Sequence, residues 1–99
     1  MQVLFRKEAQ AEFEEAQSYY EQKEAGLGED FAESVRHVLR RVLTQPESGR
    51  VEFRDVRRAI LKRFHYKLLY TVETDHILVL AVAHQRRQPQ YWLSRITQQ

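Results

Sequence analysis

The sequence predicts an α+β fold, β-α-α-β-β-β, with an N-terminal helical hairpin packed on one face of a small antiparallel sheet. Three observations predict it. Ala9, Phe13, Ala16 and Tyr20 step by four, three and four, which sets them on one face of a helix. Ile77 to Ala83 is an unbroken apolar run of strand length, rich in Val and Ile, as expected of a strand covered on both faces. Between these, Tyr66, Leu68, Tyr70 and Val72 alternate with Lys67, Leu69, Thr71 and Glu73, the period of a strand.

The elements follow in order. Gln2 to Phe5 reads as a short opening strand. The first helix begins near Glu8 and turns its Glu and Gln residues to solvent. Gly26-Leu27-Gly28 breaks it, since two glycines in three residues disfavour continuation. Gly28 is the expected cap of a second helix, with Glu29 and Asp30 at the positive end of its dipole. Its buried stripe is Phe31, Val35, Val38, Leu39 and Val42, and Arg40 and Arg41 occupy the last turn before Pro46 stops it. Gln45 to Phe53 reads as a loop and Asp55 to Phe64 as a strand carrying four cations. Glu73 to His76 makes a polar hairpin turn into the apolar run. After Pro89, Gln90 to Gln98 suits a closing helical turn.

Composition narrows what such a fold can do. Ninety-nine residues suit a single domain over 1–99, able to bury roughly two-thirds of its unfolded surface. With no cysteine there is no disulfide framework and no thiol nucleophile. The apolar start is too short for a signal peptide, and no run approaches the ~18 residues of a membrane span, so a soluble cytoplasmic protein is expected. The net charge of +2 conceals an asymmetry. Residues 1–53 hold seven Lys/Arg against eleven Asp/Glu, a net of −4, and residues 54–99 hold nine against three, a net of +6. One positive face is implied, and its partner should be acidic: a nucleic acid, a nucleic-acid enzyme or an acidic peptide.

Each chemical candidate has a structural alternative. His37, His65, His76 and His84 lack ligand-like spacing, so no metal is expected and no cofactor motif is present. His84 ends the apolar strand beside Arg86 and Arg87, a placement that suits acid–base cleavage of a phosphodiester, though the simpler alternative is a ring that caps a backbone carbonyl. Arg57, Arg58, Lys62, Arg63 and Lys67 suit a phosphate-tracking stripe, or an edge strand kept charged against aggregation. Tyr91 and Trp92 can stack on bases, or pack a closing turn onto the core.

Taken together, these segments resemble the RelE/ParE superfamily of type II toxin–antitoxin toxins. The resemblance runs through Ser18-Tyr19-Tyr20, the entry Gly26 to Phe31, Pro46, the stretch Val56 to Tyr70, and Val79 to Trp92. It implies a growth-inhibiting toxin neutralised by a cognate antitoxin encoded beside it, in a hetero-oligomer. The antitoxin's acidic C-terminal segment would dock on the basic sheet as an amphipathic helix, often with an added strand.

The resemblance also divides by target. In RelE-like members, which cut messenger RNA on the ribosome, the conserved basic positions correspond to Arg58, Ile60 and Lys67. A further arginine corresponds to Gln85 or its neighbours Arg86 and Arg87, and the tyrosine to Tyr91. Ile60 cannot stabilise a developing charge, so that pattern is only partly kept. The ending His84 to Arg87 is closer to ParE-like members, which poison DNA gyrase without cutting RNA. The expectation is therefore a gyrase poison using Arg86, Arg87, Tyr91 and Trp92. The alternative is a ribosome-dependent endoribonuclease using Arg58, Lys67, Arg87 and Tyr91, with His84 or His65 moving protons.

Overall fold

A computed structural model describes residues 1–96. Its helices are α1 (Lys7–Lys23) and α2 (Leu27–Thr44), and its strands are β1 (Gln2–Phe5), β2 (Arg50–Phe53), β3 (Val56–Ile60), β4 (Tyr66–Val72) and β5 (His76–His84). The five strands form one sheet in the order β1-β5-β4-β3-β2, antiparallel except for the β1–β5 pair. Both helices lie on one face. The apolar run is an interior strand, as its composition requires, with β4 at the centre.

The hairpin turn is tighter than expected, and the second helix starts earlier. Gly26 is its cap, in the left-handed region at φ 91°, and Gly28 already lies in the first turn. Gly26 has no side chain to cap the helix. The Glu21 carboxylate of α1 does so instead, accepting the N–H groups of Gly26 and Gly28 at 3.0–3.1 Å. A Cβ on Gly28 would stand 2.8 Å from the Gln17 carbonyl, so the glycine permits the close crossing of α1 and α2. The α2 stripe is buried as expected at Phe31, Val35, Val38 and Val42, joined by Ala32, while Leu39 is only partly covered.

The segment read as a loop before residue 54 contains a 3₁₀ turn, Pro46–Ser48, and then the edge strand β2. Its four residues Arg-Val-Glu-Phe carry too little apolar pattern to signal a strand, and β3 supplies the pairing that creates it. Conversely, the strand expected through Phe64 ends at Ile60. Residues 61–65 turn, with His65 at φ 56°, and bury Leu61 and Phe64 against the helices. After Pro89 a 3₁₀ turn forms at Leu93–Arg95. The end of the closing turn expected to Gln98 lies outside the described residues.

The sheet separates two apolar clusters. On the helix side, Tyr20, Phe31, Phe64 and Tyr66 pack ring to ring at 4.8–6.2 Å between centroids, above Leu68, Tyr70, Ile77, Val79 and Val82. On the far side, Val56, Leu69, Leu80, Ala81 and Ala83 pack beneath Trp92. A bulge explains how β5 serves both. Leu69 pairs with Ala81 and Tyr70 with Val79, so Leu80 is skipped in the register. Leu80 and Ala81 therefore both join the Trp92 cluster, and a continuous apolar run is needed where strict alternation would fail. Among the described residues, no helix is long and apolar enough to cross a membrane.

Candidate functional site

The end of β5 and the segment after it form one constructed region. β1 pairs with β5 only as far as Val79, and the Arg6 N–H closes that ladder on the Val79 carbonyl. Beyond that point the β5 edge would be bare. Side chains take over from the missing strand: the Glu12 carboxylate of α1 accepts the Val82 N–H at 3.0 Å, and Arg95 donates to the Leu80 carbonyl at 2.9 Å. Arg95 also grips both Glu12 oxygens at 2.9 Å, and the Tyr91 hydroxyl donates to Glu12 at 2.7 Å.

This network sets the proton affinities of its members. Burial alone would raise the Glu12 carboxyl, but the bonds from Arg95, Tyr91 and Val82 outweigh it and hold the group below the ordinary carboxylate range. Burial, reinforced by the neighbouring Glu12 charge, pushes the Tyr91 phenol well up. Tyr91 therefore serves as a neutral hydrogen-bond donor. Neither Glu12 nor Arg95 was singled out from the sequence. Glu12 did carry a signal, since it falls three residues after Ala9 and four before Ala16, on the buried stripe of α1.

The tail residues proposed as a contact surface divide. Arg86 and Arg87 are exposed in the turn that follows β5. Arg87 lies over the Tyr91 ring at 3.9 Å. Trp92, by contrast, is only 1% exposed and forms the roof of the far-side cluster, so it supports the surface and does not present itself to a target. Tyr91 is half-buried and its hydroxyl is already committed to Glu12. His84 packs edge-on against Tyr66, and its Nδ1 accepts the Arg86 N–H at 3.1 Å. The imidazole thus caps its own turn, accepting from an N–H where a carbonyl partner was the expected alternative.

The five cations read as one stripe do not form one. Arg57 pairs across from Tyr70 on the helix-side face, and donates to the Glu47 and Gly49 carbonyls at 2.9 and 2.7 Å. It pins the loop before β2. Arg58 and Lys67 fall on the opposite face, where Glu52 of β2 binds Lys67 at 2.7 Å and Arg58 at 3.6 Å. Lys62 and Arg63 sit in the turn after β3, and Arg63 pairs with Asp30 of α2 at 3.4 Å. The sequence pattern missed this split because adjacent strand residues point to opposite faces.

The nuclease set does not converge either. His84 is paired with Tyr66 on the helix-side face, while its neighbour Ala83 stands across from Lys67 on the other. Lys67 and Arg58 share a carboxylate, Tyr91 is held by Glu12, and exposed His65 lies in the β3–β4 turn. Acid–base cleavage needs a proton carrier and charge stabilisers around one reacting atom. These groups are distributed over two faces.

The chain is thus a helical hairpin on one side of a five-stranded sheet, with cations at the sheet margins. Residues 3–89 match the family described as the ParE toxin of the type II toxin-antitoxin system, parDE. The chain belongs to that family. Its fold is also similar to a solved chain from a chromosomal ParDE TA system of P. aeruginosa. That likeness has a TM-score of 0.61 and 19% sequence identity, and covers 85% of this chain and 95% of the other. No curated protein matches significantly.

Proposed function

We propose that the chain inhibits growth as a binding poison of DNA gyrase, and that a cognate antitoxin holds it inactive in a hetero-oligomer. Membership of the ParE family carries the toxin reading. The observation that favours binding over RNA cleavage is the dispersal of His84, Lys67, Arg58 and Tyr91 over two faces, each already engaged within the chain. Arg86 and Arg87 remain as the exposed cations at the end of β5, carried on a turn that the Glu12–Arg95–Tyr91 network fixes from behind. Trp92 is withdrawn from the contact surface.

Brief induction in cells tests this, with growth, plasmid supercoiling and transcript integrity measured together. The expected result is arrested growth with relaxed plasmid and intact transcripts. Replacing Arg86 and Arg87 with Ala should abolish both effects while the melting temperature is unchanged. Transcripts cut within translated regions, with normal supercoiling, would replace this reading with the ribosome-dependent nuclease.

A further inference from the structure

Three successive N–H groups follow the end of β5, and one of them is held differently from the other two. Gln85 donates to the His65 carbonyl at 2.8 Å, and Arg87 donates to the His84 carbonyl at 2.9 Å. Both acceptors are backbone groups, which do not titrate. The Arg86 N–H between them donates to Nδ1 of the His84 ring at 3.1 Å. This is the pattern of an Asx turn, with a ring nitrogen where Asn or Asp would offer an oxygen. It requires a neutral imidazole that carries its proton on Nε2, because a protonated ring has only donors.

The ring is fixed by one neighbour and faced by charge from the others. Tyr66 stands opposite His84 in the β4–β5 register and meets its ring edge-on, with centroids 5.2 Å apart. An opening of about 210 Å³ separates these two rings from α1, lined by Glu12, Glu15, Tyr19, Tyr66, His84 and Arg87. The two α1 carboxylates favour a protonated ring. Glu12 stays charged well into the acid range, held so by Arg95, Tyr91 and Val82. Glu15 is exposed and makes no ion pair among the described residues. Arg86 and Arg87 oppose protonation from the turn, and His65, whose carbonyl holds Gln85, brings a second imidazole from the β3–β4 side.

We propose that His84 is the positioning residue of the Arg86–Arg87 turn, and that protonating its ring weakens the contact this turn makes with its target. The proposal rests on the gyrase reading above and adds how that contact is controlled. With a neutral His84, all three N–H groups of the turn are held, and Arg87 is laid on the Tyr91 ring at 3.9 Å. Protonation removes the acceptor of the Arg86 N–H, sets two N–H groups against each other and draws the ring towards Glu12 and Glu15. The turn then loosens, and ordering its two arginines becomes a cost of binding. The sign of the effect separates this from net charge. A proton added at His84 makes the surface more positive, so a contact driven by charge alone would strengthen towards an acidic partner in acid. Loss of the cap weakens it instead.

The test measures binding of the full chain to purified DNA gyrase from about pH 8 down to about pH 5.5, the range in which imidazoles change charge. Wild type is compared with His84→Ala, which removes the cap, and with His84→Asn, whose amide oxygen accepts the same N–H without titrating. Thermal melts check that each variant is folded. NMR of the free wild-type chain follows the Arg86 amide and the His84 ring over the same range, a readout that needs neither a variant nor gyrase. At the upper pH, His84→Ala should bind about fivefold more weakly, and His84→Asn should restore most of that loss. Towards the lower pH, wild type should weaken about fivefold beyond any change seen in His84→Asn, and its Arg86 amide should shift together with the ring. An Arg86 amide indifferent to the ring's titration would overturn the proposal, as would parallel pH dependence in wild type and His84→Asn. If the amide shifts as expected but wild type binds gyrase at no pH in the range, the gyrase reading fails, and the proposed control of binding with it.

Discussion

The two faces of the sheet are covered in different ways. The helix side is closed by two long helices and a cluster of four aromatic rings drawn from α1, α2, β4 and the turn before β4. The far side is closed by a short 3₁₀ segment whose main anchor is one tryptophan, held in place by a carboxylate that reaches round from α1. The first cover is redundant, since many side chains share the burial. The second depends on a few named contacts, and the exposed Arg87 lies over the Tyr91 ring of its closing segment. The difference places most of the stability on the helix side, while the far side fixes the position of the turn that carries Arg86 and Arg87.

The comparison can be broken or sharpened by substitution. Phe31 is fully buried and touches Phe13, Tyr20, Phe64 and Tyr66, so Phe31→Ala should cost about 3–5 kcal/mol in global stability, read by denaturant unfolding. Trp92→Ala should cost less, about 2–3 kcal/mol, because the closing segment can detach locally before the sheet unfolds. Hydrogen exchange checks the distinction: Trp92→Ala should expose amides near Val82 and spare those of α2. Uniform loss of protection would show that the two faces unfold as one.

Glu12→Gln gives the smallest expected effect, about 1–2 kcal/mol at neutral pH. Its signature is the pH dependence. The folded-state Glu12 carboxyl titrates below its ordinary value of 4.5, so its contribution is present above that pH and is lost as pH falls through the lower, folded value. Thermal melts across the acid range should show the wild type losing this increment while the variant, lacking the ionisable group, does not. Parallel curves for the two proteins would remove Glu12 from the acid response.

Much of the fold was legible because its elements carry strong periodic signals. The stripes of α1 and α2, the β4 alternation and the β5 run each impose their own geometry, and all appear close to the expected bounds. β2 was not legible, since a four-residue edge strand with one exposed valine is created by its neighbour's hydrogen bonds. The candidate site was legible only as a composition. A row of basic residues in the sequence says that a positive surface exists, but Arg57 and Arg58 end on opposite faces, and Glu52 is brought to Lys67 across fifteen residues.

The sequence by itself determined the class of fold, the segregation of charge and the family, because hydrophobic period and residue order act locally along the chain. Only the tertiary structure decided which cations are free, which aromatic is buried and which edge is left open. Those outcomes depend on groups far apart in sequence, such as Glu12 and Arg95 separated by 83 positions, meeting where water is excluded and an unpaired charge or N–H is costly.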